Sequence, residues 1–283
     1  MFHRLAERGE GAFIPFLMLG DPEPATCRLA LDAVLRGGAD ALELGLPFSD
    51  PVADGPVIQA AAIRALGAGV RLADCWAIVA ETRRSHPDLP LGLLTYANLV
   101  VHRGMDVFYG EAAAAGVDSV LVADLPVAAA DAFRAAAERH GIAPVFIAPP
   151  NAEPARLAAI AGATRGYTYV VTRAGVTGAD ETLSRDGSAL LDRLAALGAA
   201  PPVLGFGIAH PAQVRQGLAM GARGVISGSA VVQRIAEHRH DPAALHQYLR
   251  RFVAGMKAAT CPPPDPGGGM PVRPGHPFLV PES

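Results

Sequence analysis

Three carboxylates between positions 43 and 54 mark the part of this chain that is best equipped for chemistry. Glu43 lies inside the apolar segment of ADALELGLPFSDPVADGP (39–56), and Asp50 and Asp54 follow in a loop punctuated by Pro and Gly. Burial in a strand disfavours the charged form of an acid, which raises its pKa and suits a proton shuttle near neutral pH. A structural ion pair is the alternative, and this stretch alone leaves both open.

The alternation of side chains along that strand separates Glu43 from the leucines. Glu43 shares a face with Ala41 and Gly45, opposite the leucines at positions 42, 44 and 46. A strand that is apolar on both faces is typical of a parallel sheet covered on both sides. We therefore expect the small neighbours of Glu43 to leave room for a ligand against its carboxyl group.

Strand and helix patterns alternate along the chain and predict a closed barrel. Each strand-like segment precedes a helical pattern, and besides the one around Glu43 these segments are 13–19, 91–96, 119–124, 143–148, 166–172, 202–207 and 224–229. Eight such units over about 250 residues match the α/β class and a single (β/α)8 TIM barrel with extra short helices. A doubly wound open sheet is disfavoured because no GxGxxG opens the first helix.

The end of the chain differs from the rest in composition. Residues 261–283 are rich in Pro and Gly and show no periodicity, so we predict a disordered tail there. Residues 1–260 are predicted to form the one catalytic barrel domain.

Glycines cluster where three consecutive barrel strands are predicted to end. Loops at this end of the last strands, with a short extra helix, form the recurrent phosphate site of this fold, and glycine lets the main chain approach an anion closely. The sequence therefore predicts a phosphate held mainly by backbone at Gly178, Gly207, Gly228 and Ser229. The long polar loop from Arg173 to Ser188 has the composition of a mobile lid.

Apolar and aromatic residues near the same strand ends predict a slot beside the phosphate. These residues are Phe16, Leu94, Tyr96, Leu121, Tyr169 and Phe206. Such a slot suits the flat apolar part of a phosphorylated substrate. The hydroxyl of Tyr169 is a candidate support for Glu43, whereas Asp124 is assigned a structural role.

The composition argues against several kinds of chemistry. Lys257 is the only lysine among the 24 basic residues and follows the last predicted strand, so an imine mechanism lacks an amine in the pocket. His102 and His210 follow strands, but without HxH or HExxH spacing they are a weak metal signal, and we expect no metal. These residues thus predict proton transfer on a phosphorylated metabolite, by an isomerase or a lyase.

The composition also limits partners and location. A formal net charge of −3 without a basic run argues against nucleic acid. No apolar segment has the length of a membrane span, and the first residues lack the apolar core of a signal peptide. Cys27, Cys75 and Cys261 are odd in number and far apart, which fits free thiols and a cytoplasmic location.

Six segments carry a resemblance to a known family. In chain order they are LELGLPFSDPVADGPVIQ, LLTYANLV, VLVADLP, GYTYVVTRAGVTG, GFGI and ISGSAVV. In this order and spacing they resemble the α subunit of tryptophan synthase, over about residues 11–260. The resemblance implies a lyase of tryptophan biosynthesis that cleaves indole-3-glycerol phosphate to indole and glyceraldehyde 3-phosphate by a retro-aldol reaction.

The resemblance also implies roles for individual residues. Glu43 and Asp54 correspond to the family's catalytic glutamate and aspartate, and Tyr169 corresponds to a substrate-contacting tyrosine. The family's phosphate contacts fall on the four residues already identified: Gly178, Gly207, Gly228 and Ser229.

The resemblance further implies a protein partner. In this family a β subunit carries pyridoxal phosphate (PLP) and receives indole through a tunnel in an αββα tetramer, so no cofactor is expected on this chain. The contact surface would include 47–54, the region of Asn98 and the lid.

Two other functions remain open at this point. Another phosphate-binding barrel, of the same pathway or of sugar metabolism, would be expected to use a catalytic lysine or a different set of acids and bases. A barrel kept only to activate a partner would not need Glu43, Asp54 and Tyr169 together. The missing lysine argues against the first function and these three residues against the second.

Overall fold

The computed structural model describes residues 1–171, 185–205 and 207–261, with only the backbone of residues 185 and 186. Nine parallel strands lie in this part of the chain: β1 Ala12–Met18, β2 Leu42–Gly45, β3 Leu91–Thr95, β4 Ser119–Val122, β5 Ala143–Val145, β6 Ile147–Ala148, β7 Thr168–Val171, β8 Pro202–Gly205 and β9 Gly224–Ser227. They form one sheet in the order β5-β4-β3-β2-β1-β9-β8-β7-β6.

The sheet closes because β5 and β6 are two pieces of one interrupted strand. Only Phe146 separates them, and β5 pairs with β4 while β6 pairs with β7. Main-chain hydrogen bonds cross the interruption, from the Tyr169 N–H to the Phe146 carbonyl at 3.1 Å and from the Arg165 N–H to the Pro144 carbonyl at 2.8 Å. The predicted (β/α)8 barrel is therefore confirmed.

Helices follow the strands and cover the outside of the barrel. Within the described ranges they are α1 Phe2–Glu7, α2 Pro24–Arg36, α3 Pro56–Gly67, α4 Leu72–Ser85, α5 Ala97–Arg103, α6 Met105–Ala115, α7 Asp131–Arg139, α8 Pro154–Ala163, α9 Arg185–Ala196, α10 Pro211–Ala219, α11 Ser229–His238 and α12 Pro242–Ala258, with a short 3-10 helix at Val127–Ala129. Among them, none combines the length and apolarity needed to cross a bilayer.

Helix α5 has no counterpart among the predicted elements. It is seven residues long and contains the β-branched pair Val100 and Val101, so its local helical signal is weak. Its first N–H, at Ala97, donates to the carboxylate of Asp124 at 2.8 Å, a contact from the loop after the next strand. Long-range capping therefore supports a helix that local propensity does not predict.

The core has two layers, and the predicted alternation around Glu43 is confirmed. Leu42 and Leu44 belong to the layer between strands and helices. Ala41 belongs to the layer inside the barrel, and Glu43 lines the cleft that opens from it. One period-2 pattern thus directs the leucines to the helices and the acid to the interior.

Candidate active site

A cleft of about 760 Å³ opens at the carboxyl ends of the strands, and both predicted acids line it. Its rim comprises residues 53–55 after β2, residues 207–210 after β8 and the first turn of α11. Apolar side chains on the strands and at their ends form the floor: Phe16, Leu94, Ala123, Ile147, Tyr169 and Ile226. This is the end at which barrels of this type build their sites.

Glu43 is held inside the barrel, with a phenol as its hydrogen-bond partner. Its side chain is 1% exposed, and the Tyr167 hydroxyl donates to Oε1 at 2.9 Å. Burial raises the pKa of Glu43 to about 7, while the hydrogen bond from Tyr167 opposes this shift and the negative charge of Asp54 adds to it. A carboxyl group with that pKa can accept and donate a proton near neutral pH.

The register of the sheet explains how a tyrosine reaches Glu43. Glu43 pairs with Gly92 of β3, which contributes no side chain to the interior. A Cβ on Gly92 would lie 3.2 Å from Ser119 Oγ and 3.6 Å from Tyr167 Oη. Hydroxyl groups therefore occupy the space that glycine leaves beside the acid.

The expectation that Gly45 leaves space for a ligand is wrong. A Cβ on Gly45 would lie 2.5 Å from Cζ of the Phe16 ring, so that ring already fills the space. Phe16 itself lines the cleft. Gly45 thus makes room for the Phe16 ring, which forms part of the wall of the cleft.

Asp54 reaches the same cleft from the loop that follows β2. Its N–H donates to the Pro51 carbonyl at 3.0 Å, and its own carbonyl accepts from Gln59 Nε2 at 2.8 Å, so the turn before α3 is fixed at both sides. Burial raises the pKa of the Asp54 carboxyl, and a hydrogen bond from Tyr96 lowers it. Asp50, in contrast, is exposed and accepts a hydrogen bond from the neighbouring Ser49 hydroxyl.

Three of the six predicted wall residues line the cleft: Phe16, Leu94 and Tyr169. The Tyr169 ring lies against the backbone of Gly205, where a Cβ would come within 2.2 Å of its hydroxyl oxygen. Phe206 lies outside the described residues. The sheet therefore brings an apolar floor and both acids together.

Tyr96 and Leu121 do not line the cleft, which corrects their predicted place in its wall. Leu121 is 1% exposed inside the barrel, and Ala123, two residues further along the chain, lines the cleft instead. Tyr96 is also 1% exposed, because its ring packs on Phe48 with centroids 5.3 Å apart. Its hydroxyl is directed to the Asp54 loop, accepting from the Ala53 N–H at 3.2 Å.

Three of the four predicted phosphate residues line the same cleft: Gly207, Gly228 and Ser229. Gly207 has φ +73°, a conformation that favours glycine, and Gly228 directly precedes α11. Amide groups at a helix start lack acceptors within the helix and attract an anion. Gly178 lies outside the described residues, as does most of the predicted lid.

Sequence reasoning missed two residues of this site. Tyr167 precedes Tyr169 by two positions, so period 2 already placed both on one face and could have identified it. Arg234 lies one turn after Ala230 on α11 and also lines the cleft. Its guanidinium donates to the Ala230 carbonyl at 2.7 Å and stacks 3.8 Å from the centroid of Phe252.

The lysine lies away from the cleft. Lys257 of α12 pairs with Glu10 at 3.0 Å and Asp40 at 2.9 Å. Asp40 also accepts from the N–H of Phe13 at the amino-terminal end of β1, at 2.8 Å. Across the described ranges, no group of three or more His, Cys, Asp or Glu side chains is arranged to hold a metal ion.

Comparison with known sequences finds close similarity along most of the chain. A family model described as "Tryptophan synthase alpha chain" matches residues 2–261. A curated tryptophan synthase alpha chain from Cronobacter sakazakii is 53% identical over 262 residues, covering 93% of this chain and 97% of that protein. One from Yersinia pseudotuberculosis is 55% identical over 260 residues, covering 92% and 97%.

Solved structures show the same similarity in three dimensions. Mycobacterium tuberculosis tryptophan synthase superimposes with a TM-score of 0.83 at 33% identity, covering 93% of this chain and 97% of that one. A chain of the Pyrococcus furiosus tryptophan synthase a2b2 complex, described in terms of mutual activation, gives a TM-score of 0.81 at 39% identity, covering 88% and 98%.

Proposed function

The chain belongs to the tryptophan synthase alpha chain family, and from that premise we propose that it cleaves indole-3-glycerol phosphate to indole and glyceraldehyde 3-phosphate. The observation that carries the proposal is the convergence of Glu43 and Asp54 on one cleft with Gly207, Gly228 and Ser229. Two acids and a backbone anion site that line one apolar cleft suit a substrate with a flat ring at one end and a phosphate at the other.

The reaction requires two proton transfers, one to indole C3 and one from a glycerol hydroxyl. The bond between indole C3 and the glycerol carbon breaks only after C3 is protonated, because the pair of electrons must otherwise leave as a carbanion. The hydroxyl on that same glycerol carbon then loses its proton as the C–C bond opens, and this carbon becomes the aldehyde. One proton is added and one is removed, so the reaction is balanced without a cofactor.

Glu43 and Asp54 divide this work in the proposal. Glu43 takes the hydroxyl proton and is also able to deliver the proton to C3, which the pKa of about 7 supports. Asp54, when ionised beside the indole N–H, stabilises the positive charge that develops on the protonated ring. The family resemblance implies the same pair, and the site residues remain our proposal.

A β subunit is the proposed partner, and PLP is proposed to be on that subunit alone. The loop 47–54 carries Asp54 and exposes 77% of Val52, and the neighbouring α5 exposes 53% of Val101. Exposed apolar side chains of this kind fit a protein interface. The Pyrococcus furiosus structure is described as an a2b2 complex, which supports an αββα assembly here. The cytoplasmic location stays a prediction.

The test is indole release from indole-3-glycerol phosphate by the purified chain, alone and with a tryptophan synthase β subunit. We expect release in both cases and faster release with the partner, because the loop that carries Asp54 is part of the proposed contact surface. Asp54→Asn should lose at least a hundredfold in kcat. Asp50→Asn, which changes an exposed acid of the same loop, is the matched control and should retain activity without the partner. A wild-type chain that releases no indole with or without the β subunit would refute the proposal.

A further inference from the structure

Tyr96 connects the Asp54 loop to the neighbouring strand. It follows β3 directly and precedes α5, and its side chain is buried. Its hydroxyl oxygen accepts from the N–H of Ala53, the residue before Asp54, at 3.2 Å, and a hydrogen bond from Tyr96 lowers the pKa of the Asp54 carboxyl. A phenol has one proton to donate and lone pairs to accept with, so both groups can be satisfied at once.

The backbone beside Tyr96 is anchored from a third element. The Asp124 carboxylate, after β4, accepts from the Ala97 N–H at 2.8 Å. This bond satisfies an N–H in the first turn of α5 that has no acceptor within the helix. Hydrogen bonds thus run from Asp124 to the start of α5, and from Tyr96 at that start to the loop of Asp54.

We propose that Tyr96 is a positioning residue that holds the loop carrying Asp54 at the mouth of the barrel, through its hydroxyl and the Ala53 N–H. The inference rests on the proposed function, in which Asp54 faces the indole ring. Tyr96 does not line the cleft, so it acts on the reaction through Asp54 and not on the substrate.

The hydroxyl of Tyr96 favours the charged form of Asp54. The titratable side chains that face Asp54 are Glu43 from β2, Tyr96 and Tyr169 from β7. Burial raises the pKa of Asp54, and the hydrogen bond from Tyr96 lowers it. Removal of the hydroxyl therefore leaves burial unopposed and favours the protonated acid, which cannot stabilise a cation.

The direct test is a carboxyl titration by 13C NMR of protein labelled at the aspartate side chains. The Asp54 resonance is identified by its loss in Asp54→Asn. Tyr96→Phe keeps the ring against Phe48 and removes the hydroxyl, so the Asp54 midpoint should move to higher pH. Tyr109→Phe is the matched control, because Tyr109 is also buried but lies on α6 away from the cleft. In this variant the Asp54 midpoint should equal that of the wild type.

The second measurement is steady-state cleavage of indole-3-glycerol phosphate. Loss of a hydrogen bond to a charged group predicts a fall in kcat of about tenfold for Tyr96→Phe. KM should change little, because Tyr96 does not line the cleft. An Asp54 midpoint in Tyr96→Phe equal to that of the wild type overturns the inference.

A pair of variants at Asp124 keeps the test decisive if Tyr96→Phe does not fold. Asp124→Asn retains a side-chain oxygen for the Ala97 N–H and should leave the Asp54 midpoint in place. Asp124→Ala removes that acceptor and should raise the midpoint; no rise overturns the inference. If the wild type cleaves no substrate, the proposed function fails, while the titration still decides the role of Tyr96.

Discussion

Two carboxylates in this barrel are buried to the same extent and have different partners. Asp21, after β1, and Glu43, in β2, are each 1% exposed. Asp21 receives two hydrogen bonds from the Arg64 guanidinium, at 2.7 Å and 2.8 Å. Glu43 receives one from the neutral Tyr167 hydroxyl at 2.9 Å. A cation therefore opposes the effect of burial at the first acid, and a neutral phenol opposes it at the second.

This difference separates a structural acid from a chemical one. At Asp21 burial holds the pKa above its ordinary value, and the hydrogen bonds and charge of Arg64 oppose this shift. At Glu43 no cation opposes burial, and its pKa is about 7. Asp21 thus ties the end of β1 to α3 as an ion pair, whereas Glu43 is able to exchange a proton near neutral pH. The two acids thus differ in their partners, a guanidinium at Asp21 and a neutral phenol at Glu43.

The largest expected effect is on activity at Glu43. Glu43→Gln keeps the size of the side chain and removes its ability to transfer a proton, so kcat for indole release should fall about a thousandfold. The free energy of unfolding should not fall, because the variant no longer buries an ionisable group. Urea denaturation followed through Trp76, the only tryptophan, measures that second quantity. A variant with undiminished kcat would remove Glu43 from the mechanism.

The opposite result is expected at Asp21. Asp21→Asn breaks a buried ion pair and leaves the Arg64 charge without its partner, which should lower the free energy of unfolding by about 3 kcal/mol. Activity of the folded protein should stay close to that of the wild type. Glu81→Gln is the matched control, because Glu81 is exposed on α4 and pairs with Arg28 at 2.7 Å, so its loss should lower the free energy of unfolding far less than the loss of Asp21. Equal losses in the two variants would contradict the distinction between them.

The comparison also predicts a dependence of stability on pH. The pKa of Glu43 is raised by burial from 4.5 to about 7, so the folded protein binds the proton more tightly than the unfolded chain does. The contribution of Glu43 to stability is therefore fully present below pH 4.5 and is lost as pH rises to about 7, by about 3 kcal/mol. Subtracting the urea unfolding curves of Glu43→Gln from those of the wild type isolates this contribution. A difference that stays flat between these pH values would exclude the shift.

The smallest expected effect is at the phenol. Tyr167→Phe removes the hydrogen bond that favours ionised Glu43, so the pKa of Glu43 should rise further and the activity profile should move to higher pH. At neutral pH kcat should fall about fivefold. The pH dependence of kcat measures both. An unmoved profile would mean that Tyr167 only fills space beside Gly92.

Most of the fold could be predicted from the sequence because its signals are local. Alternating leucines placed Glu43 on the interior face of β2, and glycines such as Gly116, with φ +98°, marked helix ends. Glycine turns after β8 and β9 likewise indicated residues that line the cleft. Each of these patterns lies within one strand, helix or loop.

The contacts that tune the two acids could not be predicted in the same way. Tyr167 is 124 positions from Glu43, and their contact depends on the pairing of Glu43 with Gly92. Tyr96 appeared to belong to the apolar wall because its ring is aromatic, but the position of its hydroxyl depends on where the Asp54 loop passes. Such contacts are set by sheet register and loop path, which a single sequence does not specify.

The most direct test of this account is the titration of Glu43 itself. Protein labelled with 13C at the glutamate side chains gives a carboxyl resonance that Glu43→Gln identifies by its loss. Burial inside the barrel predicts a midpoint near pH 7 in the free protein. A midpoint near 4.5, the ordinary value for glutamate, would show that burial in the barrel does not poise this acid for proton transfer.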